Sequence, residues 1–196
     1  VVGGGSAGIA AALGAVKAGA KTLLIERNGS LGGQATNSNV ASYCGFYTRG
    51  ENAMQIVKGI GEEVLEKLRE VGVHTVVKHS PTGNTIITFD EEELKDALDC
   101  LVQEYGLDVL LHCRMISAKK NEAGDKIESI CCVDDENEYC FEAAQFVDAS
   151  GDANLAHQAG ADVRFGDGNG HGYVSTKMMR IDNIDPKVQF KPDILE

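Results

Sequence analysis

Between residues 52 and 71, Val57, Ile60, Val64, Leu65, Leu68 and Val71 recur at three- and four-residue steps, and Glu62, Glu63, Glu66, Lys67 and Glu70 fill the remaining positions. That spacing predicts a helix over 52–71 with one face on a core and an acidic face in water. A second stripe, Leu94, Ala97, Leu98, Leu101, Val102 and Tyr105, follows Asp90, an N-cap residue with Glu93 three positions on, and stops at Gly106. Small helix formers dominate 7–19, and a β-rich run at 21–26 follows the turn Ala18-Gly19-Ala20. With Val1-Val2 in front, the opening reads strand, helix, strand. The apolar run at 109–111 reads as another parallel strand. Alternation at 115–119, 126–133 and 138–141, broken by polar turns, predicts an antiparallel meander. A buried strand is expected at 144–149, then Ser150-Gly151-Asp152 and a short helix through about Gln158. A glycine-rich loop (Gly166, Gly168, Gly170, Gly172) leads to a possible strand at 173–181. The fold class is α/β, and no internal repeat is visible.

The chain has 196 residues, 43% of them hydrophobic, which is enough for a core and too apolar for disorder. Eighteen basic residues against 30 acidic ones give a net charge of −12, which removes any electrostatic drive toward nucleic acid or anionic membranes. The longest uncharged run stops at Lys17, short of the ~18 residues of a membrane span, and no basic segment precedes it as in a signal peptide. Six cysteines (Cys44, Cys100, Cys113, Cys131, Cys132, Cys140) form no C-x-x-C pair, and adjacent Cys131 and Cys132 point to opposite faces of a strand. This argues against a disulfide framework or a zinc site and suggests free thiols in the cytoplasm. The chain lacks an initiating Met, opens on a strand of two residues, and stops after 188–196 without a closing element, so a fragment is expected.

Gly3-Gly4-Gly5-Ser6-Ala7-Gly8 fits G-x-G-x-x-G. Its first glycine permits the tight turn, its second lets a pyrophosphate approach the backbone, and its third packs helix against strand. The helix then presents free N–H groups and the positive end of its dipole to an anion. Alone, the motif also suits an ordinary strand-to-helix turn. Glu26 adds to it, because it lies about 20 residues on at the end of the next strand, where a carboxylate accepts ribose hydroxyl protons. An NAD-dependent dehydrogenase on a plain Rossmann domain explains these residues but leaves Gly32-Gly33, the meander and Ser150-Gly151-Asp152 without a purpose.

Glu26-Arg27 followed by Gly32-Gly33-Gln34-Ala35-Thr36 resembles the FAD-dependent oxidoreductase family of the glutathione-reductase-like flavoprotein superfamily. The resemblance continues at 108–115 and at 146–154, where Ser150 stands for the usual Thr and Asn154 for the second Asp. It implies a Rossmann-like FAD/NAD(P)-binding domain over 1–165, with 40–88 contributing to the substrate side, and the start of a second, substrate domain over 166–196. It implies FAD held by Gly3, Gly5, Ser6, Ala7, Gly8, Glu26, Arg27, Gly32, Gly33, Gln34, Ala35, Thr36, Met115, Gly151 and Asp152, with the Met115 backbone facing adenine. The implied activity is hydride transfer between an unidentified small molecule and FAD, with electrons passed to an unknown acceptor. A non-catalytic FAD-binding or assembly module is the reading from another class.

Other positions carry weaker signals. Cys44 is a candidate thiol near the flavin but lacks a second cysteine, so a packed small residue is the plainer reading. His112, His157 and His171 read as hydrogen-bonded or exposed histidines. Asp167-Gly168-Asn169-Gly170-His171 opens like a calcium loop but has Met178 at the position that requires Glu, so a hinge is expected there. Lys177 and Arg180 can meet an anionic substrate or simply sit in water.

Overall fold

The computed structural model describes residues 1–71, 76–79, 83–181, 183, 185 and 187. In chain order the elements are α1 (Ser6–Lys17), β1 (Leu23–Ile25), α2 (Gln34–Asn37), β2 (Ser42–Cys44), α3 (Ile60–Glu70), β3 (Val76–His79), β4 (Thr85–Thr88), α4 (Glu91–Glu104), β5 (Asp108–Leu110), β6 (Arg114–Lys120), β7 (Ile127–Val133), β8 (Glu138–Glu142) and α5 (Asn154–Gln158).

A narrow parallel layer carries the opening turn. β1 pairs with β5 in parallel, Leu24 opposite Val109. On its other side, the Ile25 N–H donates to the Val1 carbonyl at 2.9 Å and the Gly3 N–H to the Ile25 carbonyl at 2.8 Å. Val2 bridges in turn to Asp148. Strand, helix and strand thus follow the expected order, giving a Rossmann-like α/β fold. The strand expected at 144–149 shrinks to that one bridge, with Ala144, Gln145 and Val147 exposed. Its ladder pairs with Val2 alone, and only Phe146 of its apolar residues packs on a core.

Helices α1, α3 and α4 share one core, in which Leu13, Leu65, Leu68, Leu94 and Leu98 are essentially inaccessible to solvent. The stripe and cap of α4 are where the sequence puts them: the Asp90 carboxylate accepts the Glu92 N–H at 2.9 Å, and Gly106 takes a positive φ just past the end. The helix expected from residue 52 starts only at Ile60. Gly59, at φ 68° and ψ −134°, breaks the backbone there. Upstream, Tyr47 bridges antiparallel to Gln55, and the Ile56 and Val57 N–H groups donate to the Phe46 carbonyl, so cross-chain bonds take the donors a helix would need. A three-stranded antiparallel sheet, β2-β4-β3, adds Ile87 and the adjoining Phe89 to this core.

The meander β6-β7-β8 forms as expected and packs on a second core of Val2, Ile25, Cys113, Ile130, Cys132 and Leu155. Cys131 and Cys140, directly opposed on β7 and β8, are joined in a disulfide. This corrects the expectation of free thiols throughout. Cys131 and Cys132 do face opposite ways, but the outward one meets a partner across the hairpin. The thiol argument for a reducing compartment therefore rests on Cys44, Cys100, Cys113 and Cys132. Residues 173–181 form no strand: Tyr173 and Val174 are almost wholly exposed, and no neighbouring chain pairs with them among the described residues. Residues 188–196, where a closing element was sought, lie outside the described residues. Among the described residues no helix is long and apolar enough to cross a membrane.

Leu68→Ala removes a fully buried side chain from the shared helical core. Urea denaturation is expected to show a loss of about 2–5 kcal/mol, the range for such cavities. A loss below ~1 kcal/mol would mean that α3 is not packed as described.

Candidate functional site

The parallel layer ends in a tight turn, Gly3-Gly4-Gly5, from which α1 departs. The first intrahelical bond runs from the Ile9 N–H to the Gly5 carbonyl, so the Ser6, Ala7 and Gly8 N–H groups lie outside the helical ladder. Gly3 adopts φ 99°, and a Cβ on it would fall 2.3 Å from the Ala149 carbonyl oxygen. A Cβ on Gly8 would fall 1.7 Å from the Gly3 carbonyl oxygen, which is the close helix-to-strand contact its motif position demands. Gly5 differs, because its Cβ would meet only Gly33 Cα, at 3.7 Å.

The second glycine pair lies against the first. The Gly32 N–H donates to the Gly4 carbonyl at 2.9 Å, and Gly5 and Gly32 form an isolated parallel bridge. Gly32 and Gly33 take φ 105° and 61°, and a Cβ on Gly33 would come 2.9 Å from Gly5 Cα. Two segments some thirty residues apart in sequence thus wall one groove of about 450 Å³, whose lining includes Gly3, Gly5, Ser6, Ala7, Gly33 and Gln34.

Glu26 stands at the middle of this surface, only 4% exposed. Its Oε2 accepts the Gly4 N–H at 2.6 Å, and its Oε1 accepts both the backbone N–H and the Nδ2 of Asn28 at 2.7 Å each. Three donors stabilise the buried carboxylate. Past Glu26 and Arg27 the surface continues into a cleft of about 410 Å³ lined by Arg114, Met115 and Ile116 of β6. A register shift between Met115 and Ser117 leaves Ile116 unpaired, and the bulge bends the strand at this wall. Cys113 lines the same cleft and shares a hydrogen bond with Cys132. Burial pushes both thiols up, Cys132 to about 12, so they stay protonated and unreactive at neutral pH.

Asp148 to Asp152 close the near side. The Asp148 carboxylate accepts the Ser150 N–H at 3.0 Å, the Ser150 hydroxyl at 2.7 Å and the Ala156 N–H at 2.8 Å. The Ser150 oxygen in turn accepts the Asn154 N–H at 2.9 Å. Burial tends to raise the Asp148 carboxyl, but the Ser150 hydroxyl and the N–H groups of Ala156, Ser150 and Leu155 together hold it below the usual range. This brace fixes Gly151 and Asp152, which line the groove.

Most of the expected residues line these two cavities, and three do not: Gly8, buried where helix meets strand, Thr36 and Cys44. Thr36 is buried and its hydroxyl donates to the Leu31 carbonyl at 2.6 Å, so it braces the second turn and does not line the groove. Cys44, exposed on β2, lines a separate apolar cavity of about 300 Å³ with Ser6, Tyr43 and Phe46. There burial raises the Tyr43 phenol, opposed by a hydrogen bond with Ser6. Arg180 lies elsewhere, its guanidinium on Glu91 at 2.7 Å and Asp90 at 3.4 Å. Asp167 closes its own loop, accepting the Asn169 N–H at 2.8 Å, and sits at about 2 through that bond and its contact with the His171 ring. Sequence reasoning passed over Asp148 and Asn28 as site residues. A carboxylate two residues before Ser-Gly and an amide two residues after Glu26 were the available signals.

A parallel layer, a glycine turn at a helix N-terminus and a carboxylate at the next strand end define a dinucleotide-binding α/β protein. The chain belongs to the FAD dependent oxidoreductase family, whose model matches residues 1–195, and FAD is its cofactor. No curated protein matches it in sequence. Its fold is similar to that of THI4 from Thermovibrio ammonificans (TM-score 0.51, 18% identity, 80% of this chain and 58% of that one). It is also similar to CabE, an aromatic hydroxylase from angucycline biosynthesis (0.55, 16%, 82% and 32%). A third likeness is to a geranylgeranyl bacteriochlorophyll reductase-like protein from Thermoplasma acidophilum (0.51, 19%, 82% and 41%). The chain spans between a third and three fifths of the length of these structures.

Asp148→Asn leaves a single acceptor oxygen where three donors converge. The loss of stability expected at neutral pH is about 1–2 kcal/mol. A depressed carboxyl stabilises the fold above its unfolded pKa, and that contribution is lost as pH falls through the lower folded value. The gap between wild type and variant is therefore expected to close as pH drops below about 4. Denaturation curves at pH 7 and pH 3 with equal gaps would rule the brace out.

Proposed function

We propose that the chain is the FAD-binding part of an oxidoreductase that transfers a hydride between a small-molecule substrate and FAD, with a separate acceptor receiving the electrons. The observation that carries this reading is the joining of the two glycine turns into one wall, with Glu26 between that wall and the Met115 cleft. Bound FAD supplies two-electron chemistry, and the protein supplies binding and orientation. In this reading the Ser6, Ala7 and Gly8 amides meet the diphosphate, helped by the α1 dipole. Glu26 takes the adenosine ribose, and the backbone of Met115 takes adenine beside Arg27. Gly32, Gly33, Gln34 and Ala35 border the route toward the flavin, Thr36 stiffens that turn through Leu31, and Gly151 and Asp152 form the rim. Cys44, exposed beside the neighbouring cavity, takes no part in this reading. The fit has support in the donor chemistry: Ser6 and Ala7, whose N–H groups lie outside the helical ladder, line a groove in a chain of net charge −12.

The purified protein is expected to be yellow, to release FAD on denaturation, and to bleach when a reducing substrate is added. A colourless protein that does not take up added FAD would refute the reading. Gly5→Ala is the sharper test. Gly5 sits at φ −75°, which any residue adopts, and the added Cβ makes only an ordinary contact with the chain. The variant is expected to melt within a few degrees of wild type and to bind FAD about tenfold more weakly or worse, because the methyl stands where the diphosphate must approach. Unchanged FAD affinity would take the diphosphate away from this turn.

A further inference from the structure

A ribose offers two adjacent hydroxyl donors, and an ionised carboxylate offers about four acceptor positions. Three of those on Glu26 are taken. Oε1 receives two N–H groups from Asn28 and is full, while Oε2 receives the Gly4 N–H and keeps one position. Glu26 can therefore accept one hydroxyl, and the second needs another acceptor nearby. Asn28 provides it. Its Nδ2 is committed to Glu26, so the side chain's remaining polar atom is the acceptor Oδ1, which has no hydrogen-bond partner among the described residues. No buried side-chain nitrogen or oxygen is left unpartnered among those residues, so Oδ1 is open to solvent, and Asn28 lines the same groove as Glu26. Asn28 is also held in place: its backbone N–H and its Nδ2 grip the same carboxylate oxygen, and its backbone carbonyl accepts the His112 N–H at 3.1 Å. Turning the amide aside would strip a donor from a carboxylate that is 4% exposed, which costs more than keeping it.

We propose that Asn28 is a specificity-determining residue that reads the adenosine ribose jointly with Glu26, one hydroxyl on the Asn28 amide oxygen and the other on the Glu26 carboxylate. The inference rests on the FAD reading above. It makes the pair, and not Glu26 alone, the ribose sensor.

The test uses ADP, 2′-deoxy-ADP and 3′-deoxy-ADP, measured by calorimetry on the whole chain as wild type, Asn28→Ala and Asn28→Ser. Asn28→Ser keeps the backbone N–H bond to Glu26 and a short side-chain donor, and so remains informative if the alanine variant folds poorly. On wild type each missing hydroxyl is expected to weaken binding about tenfold. On either variant one of the two penalties should fall below twofold while the other persists. If Asn28 only propped Glu26, all three nucleotides would weaken by the same factor and both penalties would survive; that result overturns the proposal. A wild type that binds neither ADP nor FAD removes the FAD reading itself. One that binds both but shows no penalty for either deoxy analogue refutes ribose reading by the pair while leaving FAD binding intact.

Discussion

Two glycine turns in backbone contact set the geometry of this molecule. The Gly32 N–H reaches the Gly4 carbonyl, and Gly33 lies so close to Gly5 that a side chain at Gly33 would collide with its Cα. Only residues without Cβ allow that approach at Gly32 and Gly33, both at positive φ. The contact does more than close a gap, because it fixes the Gly4 N–H against Glu26 and so orients a buried carboxylate from the far side of the groove. A change in either turn is transmitted to the Glu26 carboxylate through that one amide.

Around this contact the fold is a support. The parallel layer is only a few residues deep, and its bonds hold Val1–Gly3 between β1 and Asp148. Stability comes from elsewhere, chiefly the leucine-rich core shared by α1, α3 and α4, where several side chains are completely enclosed. Surface ion pairs such as Lys17–Glu63 and Lys95–Glu92 decorate these helices and add little. The site thus sits on the thin part of the molecule and is stiffened by local polar braces: Asn28 under Glu26, Asp148 under Ser150, Thr36 under Leu31.

Much of this could be read from the order of residues. The cap and stripe of α4 were legible because Asp90 and the leucines act locally, and the meander because its turns are polar and its strands alternate. β2, β3 and β4 were not, since strands of three or four residues carry no usable period and Ser42 finds Thr88 far away in sequence. The Cys131–Cys140 bond was within reach: the hairpin register that predicts β7 and β8 also sets those two residues opposite each other. The start of α3 was missed because a periodic run overruled Gly59, whose backbone conformation decided the matter. At the site, the glycine motifs announced themselves, whereas Asn28 and Asp148 act by satisfying another side chain, and no motif records that.

The glycines of the opening turn answer to two different masters. Gly3 and Gly8 are demanded by the chain's own atoms, whether or not anything is bound, while Gly5 is left free by them. In a descendant that had abandoned its coenzyme, mutational drift would reach Gly5 first and leave its neighbours alone. The middle letter of the motif is the one that the chain's own packing leaves open to change.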